Sequence, residues 1–280
     1  MDQPKISIIT PAFNGRAFIE ECIKSVIDQA CPRSEHIIVD GGSPDGTVDI
    51  IKDYAARYPH IRWVSEKDQG QSDATNKGIR MAKSRIIGIL NVDDHYEPGV
   101  LNRVLDLFKT LHEPAFLIGN CRVLTEQGVM CINRPSKLKQ TDLLMGGEIN
   151  PHPYNPSAYF YHKSLHDKIG YYKIDEHYVM DLEFILRAVR VAHVRYVDEL
   201  WGNFRYFEGT KTFTDKNSGL AQARIKTLRK IYIDQLPFYL QWKVGLGRWW
   251  GLNKGHYFYL LKRPFFYLCH PEAISRLLKR

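Results

Sequence analysis

Residues 86–99 read IIGILNVDDHYEPG. An unbroken apolar run, Ile86 to Leu90, stops at Asn91-Val92-Asp93-Asp94, and Pro98-Gly99 follows. A short run without polar alternation is the pattern of a strand covered on both faces, as in a parallel sheet. Two adjacent carboxylates at its end repel each other, and something must offset that cost. The same pattern recurs on the amino-terminal side. "ISIIT" (6–10) is followed by helical spacing from Arg16 to Gln29, "HIIVD" (36–40) by the turn-rich "GGSPDG" and a helix from Thr47 to Tyr58, and "IRWVS" (61–65) by a helix from about Gln71 to Ala82. After the acidic pair come a helix from about Pro98 to Leu111 and a fifth strand, "AFLIG" (115–119). Strands alternating with helices define an α/β fold with a parallel, Rossmann-like sheet flanked by helices. Ligands of such sheets bind at the carboxyl ends of the strands. That edge should gather Thr10 to Asn14, Asp40, Asp68 to Asn76, and Asn91 to Asp94.

The chain has 280 residues, 44% apolar and 12% aromatic, enough for one large domain or a domain with an appendage. The opening "MDQPKISIIT" does not read as a signal peptide, and no stretch of about 18 uncharged apolar residues appears. Cys22, Cys31, Cys121, Cys131 and Cys269 are odd in number and form no CxxC, so a reduced, cytosolic chain is the simplest expectation. Cys22 falls on the apolar face of the first helix. Net charge is +8, unevenly spread: residues 221–280 hold twelve Lys/Arg against Asp234 and Glu272, a local +10, and residues 1–220 carry −2. Such a tail points to an anionic partner.

No G-x-G-x-x-G follows the first strand and no G-x-x-x-x-G-K-[ST] occurs, so the usual phosphate-binding loops are missing. If the sheet binds a nucleotide, another group must neutralise its phosphates. Beyond residue 120 the pattern loosens. "NPHPYNPSAYFYHKS" (150–164) carries three prolines before a strand-like run, and "YVMDLEFILRAVR" (178–190) is helical with Asp181 at its start. Residues 221–233 form a basic helix, and residues 237–268 mix eleven aromatics with Lys and Arg. Those aromatics either pack on the main domain or lie in a membrane interface. No nucleic-acid module is present.

Four stretches, in order, resemble a family 2 glycosyltransferase of GT-A fold: "ISIITPAFNG", "HIIVDGGSPDGTVDII", "DQGQSDATNKGIRMAKSRIIGILNVDD" and "MDLEFILR". The resemblance covers about residues 5–205 and is nearest to the branch that builds bacterial surface polysaccharides. It implies a GT-A-type catalytic domain over residues 1–215, with a nucleotide-binding part to about 120 and an acceptor part from 121 to 215. Residues 216–280 form a helical C-terminal region. The implied chemistry is inverting transfer of a sugar from a nucleotide-sugar, a UDP-sugar by resemblance, to a hydroxyl of a growing lipid-linked glycan at the inner face of the plasma membrane.

The resemblance also assigns residues. Asp94 is expected to hold Mn²⁺ or Mg²⁺, with Asp93 on the ribose or the metal; hard divalent cations prefer oxygen ligands and stabilise a departing diphosphate. Asn91 stands where many relatives have an acid. Asp40 would contact the base or ribose, and Gly41 replaces a second acid there. Pro11, Ala12 and Phe13 would line the base pocket. Asp73 and Asn76 would share a helical face towards the donor, with Lys77 near its phosphates. Asp181 is the candidate base; one carboxylate on the acceptor side suffices for in-line displacement, whereas glycosidases need two. Glu183 should point elsewhere, and His152 and His177 are possible pocket residues. Two other readings remain open: a sugar-nucleotide-forming nucleotidyltransferase, against which "TPAFNGRAF" lacks a basic triphosphate loop, and a non-catalytic membrane-docked binding protein.

Overall fold

The computed structural model describes residues 4–208, 210, 212–214 and 219–269, with side-chain surroundings described to residue 253. The aromatic and basic residues of the tail beyond 253 lie outside those described. Nine strands form one sheet: β1 (Ile6–Ala12), β2 (Ser34–Asp40), β3 (Ile61–Ser65), β4 (Ile86–Ile89), β5 (His95–Tyr96), β6 (Ala115–Thr125), β7 (Gly128–Asn133), β8 (Tyr159–His162) and β9 (His193–Arg205). The order is β3-β2-β1-β4-β8-β6-β9-β5, with β7 paired to β6. The first four strands pair in parallel. The antiparallel β8 separates β4 from β6. The fifth apolar run is therefore not the next strand in space, because pairing order is non-local and leaves no periodic trace in the sequence.

Consecutive apolar residues are explained by helices on both faces. On one face Ile9, Ile87, Ile89, Phe116, Tyr159 and Tyr161 meet α3 (Gln71–Met81) and α7 (Met180–Ala188). On the other, Ile8, Ile86, Leu90, Leu117, Phe160 and Trp201 meet α1 (Ile19–Ile27) and α4 (Val100–Phe108). Cys22 is 1% exposed in this second cluster, as its helical position predicts. Gly88 makes room for the ring of Phe160, its partner on the adjacent β8, since a Cβ there would lie 2.6 Å from Phe160 Cε1. The remaining helices before the tail are α2 (Thr47–Arg57), α5 (Gln140–Leu144) and α6 (Leu165–Ile169).

The tail forms α8 (Leu220–Asp234) and α9 (Phe238–Cys269). Two buried acids tie α8 to the sheet domain. Glu183 accepts from Arg187, Lys173 and Tyr232 Oη, and Glu176 pairs with Arg224 at 2.7 Å. Burial works to raise the pKa of Glu183, and the hydrogen bonds from Arg187 and Lys173 outweigh it, leaving a lowered value. One face of α9 packs on the 145–149 loop through Val244, Gly247 and Gly251. A Cβ on Gly247 would meet Met145 Cε at 2.5 Å, and one on Gly251 would meet Ile149 Cγ1 at 2.8 Å. The opposite face exposes Phe238, Tyr239, Trp242, Leu246, Trp249 and Trp250. Among the described residues no helix is long and apolar enough to cross a membrane.

Candidate active site

Parallel register places the strand ends side by side: Ala12 is level with Asp40, and Asp40 with Ser65. Ile9 pairs with Ile89, and Leu90 N donates to Ile9 O, so the acidic stretch leaves the sheet beside Thr10 to Asn14. Pro11 and Ala12 are buried within β1, whereas Phe13 is 61% exposed. Of the three residues expected to line a base pocket, only Phe13 offers a free ring face.

Asp40 is fully buried and its carboxylate is consumed by the turn. Oδ2 accepts from Gly42 N (2.9 Å), Ser43 N (2.9 Å) and Ser65 Oγ (2.6 Å), and Oδ1 from Ser43 Oγ (2.5 Å). The turn chemistry of "DGGSPDG" and Ser65 thus organise the Asp40 side chain at the strand end. Asp68 Oδ2 crowds Gly41 instead, 2.6 Å from where a Cβ would stand.

The face of α3 is likewise used internally. Asn76 is 1% exposed and clamps the Tyr172 backbone, donating to Tyr172 O (2.8 Å) and accepting from Tyr172 N (3.0 Å). Asp73 accepts from Gln69 N (3.1 Å), and Lys77 pairs with Glu66 (2.9 Å) and Asp73 (3.5 Å). Asn76 and Lys77 thus hold α3 to its neighbours. The residue of α3 that reaches the ligand edge is Gln71, whose Nε2 donates to Asn91 Oδ1 at 3.0 Å.

The two acids differ in burial and in partners. Asp94 is 2% exposed; Oδ2 accepts from Asn155 Nδ2 (2.6 Å) and Oδ1 from Arg205 N (3.1 Å). Asp93 is only partly buried and is the more accessible of the two. Burial raises the pKa of Asp93, offset in part by its own backbone N–H and by Arg205. Burial and the charge of Asp93 together push Asp94 well up, against its hydrogen bonds. No group of three or more His, Cys, Asp or Glu able to hold a metal occurs among the described residues. Two carboxylates nevertheless fit Mg²⁺ or Mn²⁺, which are commonly held by one or two carboxylates together with substrate phosphates.

Sequence reasoning missed Asn155 and Arg205. Asn155 precedes a 3₁₀ turn at Pro156–Ala158, and its Oδ1 accepts from Ser157 N (2.8 Å) and Oγ (2.6 Å), which aims Nδ2 at Asp94. The Asn-Pro-Ser triplet was the available signal. Arg205 leaves the end of β9 and bonds Glu21, and nothing local marks it.

Asp181 sits in the first turn of α7, and Oδ1 accepts from Tyr159 Oη at 2.8 Å. Burial and the Asp181 charge push the Tyr159 pKa well up, so the phenol keeps its proton. Asp181 lines a cleft of about 370 Å³ together with Gln71, Asn91, His152, His177 and Asn155. Ala221, Gln222 and Ile225 of α8 form part of its wall. A larger cavity of about 810 Å³ involves Lys5, Arg33 and Arg85 at the amino ends of the strands, away from the acid pair. The smaller cleft is lined both by Asn91, two residues before Asp93, and by Asp181.

A mostly parallel sheet flanked by helices, with this strand order, is the architecture of GT-A-type glycosyltransferases. The family model "Glycosyl transferase family 2" matches residues 7–167, and the chain belongs to that family. It is 34% identical over 146 residues to the putative teichuronic acid biosynthesis glycosyltransferase TuaG of Bacillus subtilis, a match covering 51% of this chain and 58% of TuaG. Escherichia coli chondroitin synthase is 35% identical over 106 residues, 38% of this chain but only 16% of that protein. Among solved structures, S. aureus TarS 1–349 superposes with a TM-score of 0.65 at 17% identity, over 89% of this chain and 72% of that one. Mannosyltransferase PcManGT from Pyrobaculum calidifontis, in complex with GDP-Man and Mn²⁺, gives 0.59 at 17%, over 98% and 81%.

Proposed function

We propose that this chain is an inverting, metal-dependent glycosyltransferase that moves a sugar from a UDP-sugar to a hydroxyl of a growing bacterial surface glycan carried on a lipid. The observation that carries the reading is the shared cleft, with Asn91 of the acidic stretch at one end and Asp181 at the other. A divalent cation would offset the charge of the departing diphosphate. Asp93 is the direct ligand in this reading. Asp94, fixed by Asn155 and Arg205 N, sets the loop and adds negative charge behind it. Phe13 offers a face for the base. Asp181, oriented by the Tyr159 hydroxyl, takes the acceptor proton as its oxygen attacks, and one carboxylate on that side gives inversion. TarS has been seen with UDP-GlcNAc and PcManGT with GDP-Man and Mn²⁺, which supports a nucleotide-sugar donor and a metal for this relative. The test is a donor panel of UDP-glucose, UDP-galactose, UDP-N-acetylglucosamine and GDP-mannose, with and without Mn²⁺. Release of UDP only when metal is present is expected. Metal-independent turnover overturns the metal assignment, and GDP-mannose turnover alone overturns the uridine assignment.

The reading extends to the membrane. The aromatic stripe on α9 spans Phe238, Trp242, Leu246 and Trp249 at three- and four-residue intervals, flanked by exposed Lys243, with Lys226 and Lys230 exposed on α8. Aromatics at headgroup depth with basic residues beside them suit an anionic bilayer surface. That would place the cleft wall formed by α8 next to a lipid-borne acceptor on the cytoplasmic face. Replacing Trp242, Trp249 and Trp250 with Ser should abolish co-flotation with anionic vesicles in low salt while leaving far-ultraviolet circular dichroism unchanged. Undiminished flotation contradicts the docking face.

A further inference from the structure

Behind the Asp181 cleft, two arginines converge on one turn. A Cβ on Gly146 would lie 3.1 Å from Arg248 Nη1 and 3.4 Å from Arg229 Nη1, and one on Gly147 would lie 4.0 Å from Arg229 Nη2 and 3.9 Å from His152 Nδ1. Arg229 lies one helical turn after Ile225, a lining residue of the cleft, and His152 lines the cleft itself. Arg229 Nε and His152 Nδ1 are buried without a hydrogen-bond partner. Arg248 donates to Met145 O at 3.0 Å. Glu148 Oε2 is at the same turn, yet neither arginine forms an ion pair within 4.0 Å with any described acid. One carboxylate therefore faces two guanidinium groups. Burial works against the charge on Arg229, Glu148 favours it, and Arg248 opposes it. Burial and Arg229 hold His152 down to about 4, so it is neutral at pH 7 and as the Nδ1–H tautomer is a donor. Buried donors without partners, next to surplus positive charge, are the makings of an anion site.

We propose that Arg229, Arg248 and His152 form a phosphate subsite that holds the phosphate or diphosphate through which the acceptor glycan is attached to its carrier. This rests on the glycosyl-transfer reading and specifies its acceptor chemistry at the turn behind the cleft, whose wall His152 shares. Guanidinium pairs suit phosphate because they present several N–H groups in fixed geometry.

The test uses the full chain and two acceptors with the same terminal sugar, one on an alkyl diphosphate and one on an alkyl chain without phosphate. Arg229→Gln and Arg248→Gln should each raise KM for the diphosphate acceptor about tenfold or more. KM for the phosphate-free acceptor and the rate of donor hydrolysis should stay within about twofold. Arg229→Lys should recover part of the loss. Equal changes for both acceptors, or none, overturn the subsite. Independently of turnover, calorimetric titration of the alkyl diphosphate in EDTA should show binding to wild type that Arg229→Gln weakens; absence of binding to the folded wild type also overturns it. If wild type transfers to neither acceptor but binds the alkyl diphosphate through these arginines, the subsite stands and the transfer reading fails. Loss of flotation on anionic vesicles with unchanged acceptor KM would assign the arginines to bilayer headgroups and overturn the acceptor assignment.

Discussion

Asp181→Asn lowers kcat for sugar transfer by about 10²–10⁴-fold, the usual range for removing a general base, and leaves donor KM within about twofold. The substitution is nearly isosteric, and its side-chain oxygen still accepts from Tyr159 Oη, which now reaches Asp181 at 2.8 Å. The helix and cleft should therefore persist, and only the proton acceptor is lost. Initial rates at saturating donor and acceptor, with thermal melting as a control for folding, decide the matter. A variant retaining more than about a tenth of the wild-type rate would remove Asp181 from the chemistry. His152 and His177 share its cleft and would be the next groups to replace.

The second large effect separates the two acids of the pair. Asp93→Asn should cut metal-stimulated turnover by at least about a hundredfold, on the scale of losing one electrostatic partner of the transition state, with little change in stability, because Asp93 is partly exposed and mainly burdened by burial. Asp94→Ala should lose stability as well. It would strand the Asn155 amide and the Arg205 backbone N–H, both now bonded to Asp94. Leaving buried donors unpaired costs about 1–3 kcal/mol. Melting temperatures and Mn²⁺ titrations of the two variants check this. If Asp94→Ala melts with wild type while Asp93→Asn retains its metal response, Asp94 is the direct ligand and the assignment reverses.

The first half of the fold was legible because both faces of its inner strands are covered, so β1, β2 and β4 appear as short, largely apolar runs with turn signals between them, whereas the edge strand β3 is only partly buried. The insertion of β8 between β4 and β6 was not legible: Tyr159-Phe160-Tyr161 reads as a strand, but which strands it joins is decided by packing across the sheet. The site divides in a similar way. Asp181 and the acidic stretch stand out by position, at a helix start and a strand end. The hydrogen-bond partners of Asp40 and Asn76 did not, because those of Asn76 lie 96 residues away and the Asp40 carboxylate also takes Ser65 from the neighbouring strand. The partners of Asp94 arrive from 61 and 111 residues away, so its burial and saturation became visible only in three dimensions. The tail was read as packing on the domain or facing a membrane, and α9 has a face suited to each: Gly247 and Gly251 inward, the tryptophans outward.

The most direct test of the central claim is the anomeric configuration of the product. In the proposed mechanism a single carboxylate on the acceptor side, with the acid pair on the donor side, would give one in-line displacement. Proton NMR of the product formed from an α-linked UDP-sugar should show a β-linkage, and Asp181→Asn should yield none of it over the same interval. An α-linked product, or an undiminished β-linked product from Asp181→Asn, would contradict the account.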